Sequence, residues 1–352
     1  MTTAYFDLLN GAFQEAKHGK DGPEFFYNIA GSTVRLNFAG EALVPSICPA
    51  LEHLKIKKAS KQSLSIYLWD SATTGIKLPI LPWQKDKMIT VEKDNKHQKD
   101  IDQFRIYFKD LHVQGVYQVG ANTLSMLDSD RNLAVYWVPN ARQMHYYESG
   151  SPLRAIFQWW AKSRGLQLVH AGAVGTPDGG VLLAGASGSG KSVTALSCIK
   201  SDLLYASDDY VLLGTDPIPY LYSLYNSCKV NDGDIKRFPE FVPATINEDN
   251  IKKEKTILFL HDYYPKKIVT SFKIRAILLP RVTGGKTKLN SVTAGIALKA
   301  MAPSTIFQLP GAGQDDLKMM AKLIRQIPSY FLELGQDTDA IPDIILDLLA
   351  HN

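Results

Sequence analysis

The chain has 352 residues, 45% hydrophobic and 21% charged, and its 39 basic and 35 acidic residues leave a net charge of +4. That composition excludes a disordered chain, and the near balance of charge argues against nucleic acid as a partner. Three cysteines, Cys48, Cys198 and Cys228, show no C-x-x-C spacing, which excludes a disulfide framework or a structural zinc site and fits a reducing cytosol.

In chain order, the opening residues lack a basic stretch followed by an apolar one, and no run is apolar enough to span a bilayer. A cytoplasmic protein with no membrane partner is expected. After this short polar start, residues 25–30 and 34–38 predict two strands turning at Gly31-Ser32, and 41–56 predict a helix shaped by Pro45 and Pro49. Leu64, Ile66 and Leu68 alternate in a strand ending at Asp70. Residues 84–100 read as a solvated loop, and 104–138 as an antiparallel meander. Ser151-Pro152 opens a helix that Gly165 stops, its apolar stripe suited to packing between the two halves of the chain. Residues 1–145 thus form a β-rich α+β domain without a catalytic motif, and 146–352 a nucleotide-binding domain.

In the second domain, residues 185–192 read Gly-Ala-Ser-Gly-Ser-Gly-Lys-Ser, a complete phosphate-binding loop between an apolar strand at 181–184 and a helix at 192–200. Gly188 and Gly190 let successive N–H groups turn inward on phosphate oxygens, helped by the N-terminal end of the following helix. Gly185, Ser187, Ser189 and Val193 complete the nucleotide-binding segment, Lys191 reaches the β- and γ-phosphates of ATP, and Ser192 gives Mg²⁺ an oxygen. Asp208 and Asp209 follow a strand at 203–207, and as neighbours on extended chain they point apart. One suits a metal and one a proton, though the pair also fits an Asx turn. His170 fits either a core histidine or a site residue. Further on, 220–224, 227–230, 256–260, 274–279 and 330–334 predict strands, 247–255 a solvated segment, and 291–301 a helix. A turn at 310–313, an amphipathic helix around Leu317 to Ile324 and a last helix from Asp339 complete the chain.

His170, the GASGSGKS loop and Ala206-Ser-Asp-Asp209 resemble the catalytic domain of HPr kinase/phosphorylase, with His170 21 residues before Lys191 and Asp209 18 after it. The segment is more loosely similar to ATP-dependent phosphoenolpyruvate carboxykinase. The whole chain loosely resembles HPr-kinase-related proteins of peptide-modification clusters, including lasso-peptide serine kinases. The resemblance implies an α/β fold of that P-loop type, a mixed central sheet flanked by helices, and an oligomer. It also implies that Asp209 is the base, that Lys191 and His170 stabilise the transferring phosphoryl group, and that Ser192 ligates Mg²⁺ with Asp208 holding or orienting it. Val193 stands where the family has Glu, and Asp232 and Asp234 are the nearest acidic candidates for a further ligand. Arg281 is a candidate phosphate-stabilising arginine or a surface charge. The expected activity is an ATP- and Mg²⁺-dependent kinase acting on a serine-type hydroxyl of a peptide or small protein, docked by the first domain. A small-molecule kinase and a nucleotide-dependent binding module are the competing readings.

Overall fold

The computed structural model describes residues 2–59, 61–81, 90–92, 105–244, 255–309 and 311–351. The chain divides into two compact units, 1–49 with 54–164, and 50–53 with 165–352. The division falls at 164/165, not at 145/146 as the composition suggests.

The first unit opens with helix α1 (Thr2–Gly19), where the sequence suggests only a polar start. Tyr5, Phe6, Leu9, Phe13 and Ala16 recur three or four residues apart and are buried. They cover Trp69, Leu124, Met126, Val135 and Trp137 on one sheet face, with Phe13 stacked on Tyr67 at 4.3 Å. Burying one such phenylalanine contributes roughly 1.5–3 kcal/mol. The sheet contains β1 (Glu24–Ile29), β2 (Ser32–Phe38), β3 (Lys55–Ile56), β4 (Leu64–Asp70), β5 (Thr90–Glu92), β6 (Arg105–Lys109), β7 (Val113–Gln118), β8 (Thr123–Asp128) and β9 (Leu133–Val138). Their order is β3-β1-β2-β4-β9-β8-β7-β6-β5. The meander from β6 to β9 is antiparallel as expected, while β4 pairs in parallel with both β2 and β9.

Two expectations change. The helix predicted over 41–56 is a four-residue helix, α2 (Val44–Ile47), then a 3₁₀ turn (Pro49–Leu54) and β3, because the two prolines limit each helical run. Within the predicted 84–100 loop, β5 pairs with β6; the rest of that loop lies outside the described residues, as do 247–254 and Pro310. Two short helices follow, α3 (Ser71–Thr74) and α4 (Tyr146–Gly150). Helix α5 (Arg154–Lys162) belongs to the first unit and packs its apolar side on β8.

The second unit is a mixed α/β layer structure. Its strands are β10 (Gln167–His170), β11 (Gly172–Thr176), β12 (Gly179–Leu183), β13 (Leu204–Ser207), β14 (Tyr210–Gly214), β15 (Tyr220–Ser223), β16 (Ser227–Val230), β17 (Thr256–Phe259), β18 (Ser271–Val282), β19 (Lys288–Ser291) and β20 (Ser329–Leu334). The main sheet runs β10-β14-β15-β18-β12-β11-β13, with β20 between β18 and β19. Among the described strands of that sheet, β18 pairs in parallel with β12 and β20 and the other strand pairs are antiparallel; β16 and β17 form a separate ladder.

Its helices are α6 (Lys191–Ser197), α7 (Asp232–Ile235), α8 (Ala294–Ile306), α9 (Gln314–Gln326) and α10 (Ile341–His351). Val181 and Leu183 of β12, with Ala276 and Leu278 of β18, face the core that holds Leu196 of α6 and Ile345 of α10. Leu182, Ile277 and Leu279 face the opposite core, with Met301 of α8 and Leu323 of α9. Both faces are buried, which is why these strands read as unbroken apolar runs. Pro280 sits inside β18 without breaking it. The Ile277 and Thr283 amides donate to the Pro328 and Leu334 carbonyls, so the amide position at 280 faces away from β20.

Candidate functional site

The loop after β12 has the strand–loop–helix setting that the sequence predicts. Gly185, Gly188 and Gly190 have φ values of 146°, 80° and 107°, a region where side chains are strained. A Cβ on Gly190 would also lie 2.3 Å from Leu334 Cδ1. Helix α6 has only seven residues, so the groups here that could hold an anion are the loop and Lys191 more than a helix end. Lys191 is buried, and its ammonium donates to the carbonyls of Gly185 (2.9 Å) and Ala186 (3.1 Å). Burial pulls its pKa down, opposed by Asp208 and Asp209.

Asp208 and Asp209 form the two-residue link between β13 and β14, and they serve different neighbours. Asp208 Oδ2 accepts from Ser192 Oγ (3.0 Å), the Lys229 amide (3.0 Å) and the Cys228 thiol (3.4 Å). Its Oδ1 is buried and has no hydrogen-bond partner among the described residues. Burial raises the Asp208 pKa, with the Lys229 amide opposing. Asp209 Oδ1 lies 3.1 Å from His170 Nε2, and its Oδ2 2.7 Å from Lys229 Nζ. Burial works to raise its pKa too, but Lys229 and His170 prevail and hold it well below the usual carboxylate range.

Strand pairing explains the encounter of His170 with Asp209. Residue 170 is opposite Tyr210 in the β10–β14 ladder, which puts its imidazole beside the preceding residue. The His170 amide donates to Thr305 Oγ1 at 3.2 Å, and its ring packs 5.1 Å from that of Tyr210. Its strand is two before the loop strand, with β11 between them.

These groups line one cavity of about 660 Å³. Ser187, Gly188, Gly190, Lys191, Ser192 and Val193 form the loop wall, although Val193 also belongs to the core. Gly185 and Ser189 do not line it: the Gly185 carbonyl receives Lys191, and the Ser189 hydroxyl is buried. Asp234 lines the wall, 4.0 Å from Arg237, while the Asp232 side chain lies outside what is described. Arg281 is not in the cavity wall. Its guanidinium pairs with Glu333 at 2.6 Å and stacks 3.8 Å above Phe331 on the surface, because β18 alternation puts Val282, itself exposed, on the cavity side instead.

Lys229, Arg237 and Lys255 also line the cavity, and no motif singles them out. A signal for Lys229 existed: it interrupts Cys228 and Val230, both core residues, so alternation turns it away from the core. The three cysteines are buried, and none of them forms a disulfide.

The donor set fits a hard divalent cation. Ser192 Oγ and Asp208 Oδ1, which has no partner among the described residues, are oxygens of the kind Mg²⁺ prefers. Among the described residues no three His, Cys, Asp or Glu side chains gather as a metal cage, so a cation held there would draw its remaining ligands from water or from phosphate oxygens.

No family model matches the sequence, and no curated protein does. Among solved structures, the chain is similar to the Hpr(Ser) kinase/phosphatase from Coxiella burnetii, with 12% identity and a TM-score of 0.31 over 53% of this chain and 97% of that one. No helix among the described residues is long and apolar enough to cross a membrane.

Proposed function

We infer that the chain is an ATP- and Mg²⁺-dependent cytoplasmic kinase that phosphorylates a serine-type hydroxyl on a peptide or small protein. One observation carries this reading: Asp209, a carboxylate only 12% exposed and held ionised by His170 and Lys229, shares a cavity wall with Lys191, Ser192 and Asp208. A site built only to bind phosphate gains nothing from a carboxylate there, since like charges repel.

Lys191 leaves its loop carbonyls to neutralise the transferring phosphoryl group, and His170 holds Asp209 in place. Ser192 and Asp208 would hold Mg²⁺, which when bound offsets phosphate charge. The acceptor hydroxyl oxygen forms the new bond to the γ-phosphorus, the bond to the β,γ-bridging oxygen breaks, and the hydroxyl proton passes to Asp209. In a loose transition state that proton leaves late, when the hydroxyl has become acidic, so a carboxylate of low pKa suffices. Most of the rate then comes from positioning and charge neutralisation. The first unit is assigned the docking of the acceptor or a partner.

The test is transfer of label from γ-³²P-ATP with Mg²⁺ to a panel of serine- and threonine-containing peptides and a panel of hydroxylated metabolites. Label on a peptide is expected. Label only on a metabolite would favour the small-molecule kinase, and nucleotide binding without transfer to either panel would contradict catalysis.

A further inference from the structure

We propose that the part of the cavity lined by Val282, Gly284, Leu334, Gln336, Thr338 and Ile341 is a nucleoside subsite, an uncharged wall that seats the base and ribose of the phosphate donor. This rests on the kinase reading above and concerns the end of the donor that the phosphate loop does not touch.

Strand order places the wall. Across the loop strand the sheet runs β13-β11-β12-β18-β20. Strand β13 is antiparallel to β11, and β11 to β12, so β13 runs the same way as β12; β18 is parallel to β12, and β20 to β18. The four strands β12, β13, β18 and β20 therefore end on one side of the sheet. The loop leaves β12 in the middle. Asp208 and Asp209 follow β13 on one flank, while Val282 ends β18 and Leu334 ends β20 on the other. A triphosphate held by the loop with its γ-phosphate towards Asp209 must extend its nucleoside towards β18 and β20.

The chemistry of the two flanks differs in the same sense. Asp208, Asp209 and Lys229 line the first, all with ionisable side chains, and none of the six residues of the second has one. Val282 is 70% exposed at the end of a strand whose preceding run is buried. Its apolar surface adds nothing to the core, but a flat base laid over it would take both surfaces out of water. Leu334 and Ile341 line the cavity as part of the core, so the apolar surface is continuous with it. Gln336 is exposed, and its amide offers both a donor and an acceptor to a base edge or a ribose hydroxyl. An apolar wall with a few polar groups is the usual make-up of a small-molecule site.

The wall is also preformed. The Thr283 and Gly284 amides donate to the Leu334 carbonyl at 3.0 and 3.2 Å, and the Gly335 amide donates to Thr287 Oγ1 at 3.1 Å. The Thr287 amide and hydroxyl in turn donate to Asp337 Oδ1 at 3.1 and 2.7 Å. A Cβ on Gly335 would run into the Gly285 carbonyl, so the turns after β18 and β20 lie backbone against backbone. Asp337, the carboxylate of the second turn, is engaged by Thr287 and does not line the cavity.

The test is calorimetric binding of ADP and of pyrophosphate, which lacks the nucleoside, both with Mg²⁺. The proteins are the wild type, Val282→Ser and the double variant Val282→Ser/Gln336→Ala. Both side chains are exposed, so neither change removes a core contact, and the melting temperature checks that each variant folds. ADP affinity should fall about threefold in Val282→Ser and about tenfold in the double variant. Pyrophosphate affinity should stay within about twofold throughout. Equal losses for the two ligands, unchanged ADP affinity in the double variant, or a wild type that does not bind ADP would overturn the subsite. A wild type with the expected binding pattern that transfers no phosphate would overturn the kinase reading and leave the subsite standing.

Discussion

Three buried carboxylates of the first unit differ from the Asp208-Asp209 pair of the second in how fully they are used. In the first unit Asp70 caps α3 by accepting from the Thr73 amide and hydroxyl, both at 3.0 Å. Asp128 closes a turn through the Asp130 and Arg131 amides, and Glu148 pairs with Arg154 at 3.1 Å. Each does local architectural work. In the second unit Asp208 keeps one buried oxygen without a partner among the described residues, and Asp209 is shared between a histidine and a lysine on the wall of a cavity. A buried carboxylate used up by backbone donors stabilises a fold, whereas one left partly unsatisfied beside a cavity is arranged for a ligand.

The largest expected effect on that contrast comes from Lys191→Met. It keeps the length and removes the charge, and should lower phosphate transfer by about 10²–10³ with little change in thermal stability. Assay of transfer alongside the melting temperature checks it.

Acid should weaken the second unit through His53. Ser223 Oγ donates to the Ala206 carbonyl at 2.5 Å, so at 2.8 Å His53 Nε2 must donate to Ser223, leaving Nδ1 as the bare nitrogen. Nδ1 is buried with no partner among the described residues, and burial, with His261 adding to it, pushes the His53 pKa down to about 3. The folded state therefore resists a proton that the unfolded state accepts below about pH 6.5. Stability falls as pH drops from there towards 3, by up to ~1.4 kcal/mol per pH unit from this residue. Denaturant midpoints measured down to pH 5 should show a shallower slope for His53→Gln.

Asp70→Ala in the first unit should cost about 1–2 kcal/mol of stability through the lost cap and leave transfer unaffected. A loss of transfer at constant stability would break the division of labour. The smallest effect is expected at Arg281→Ala, since its guanidinium is largely exposed and pairs with Glu333 outside the cavity: under about 1 kcal/mol of stability, and unchanged transfer.

Much of the second unit was legible because its features are local. The glycine pattern of the loop, the apolar runs of β12 and β18, and the spacing of His170, Lys191 and Asp209 all lie in the written order of residues. For Lys229 the alternation in β16 told only that it turns away from the core, since folding alone carries β16 to the β13–β14 link. Helix α1 was missed for another reason. Its stripe of Tyr5, Phe6, Leu9, Phe13 and Ala16 was present, but Gly11 and a polar composition hid a helix that packing stabilises. Helix α5 shows that an apolar stripe reveals that a surface is covered without revealing by what: it packs on β8.

The most direct test replaces Asp209 with Asn, which keeps the shape and removes the base. Transfer from γ-³²P-ATP and Mg²⁺-nucleotide affinity should be measured on the same samples. The account predicts that transfer falls by at least about a hundredfold while nucleotide affinity is kept or rises. Transfer at the wild-type rate would contradict it.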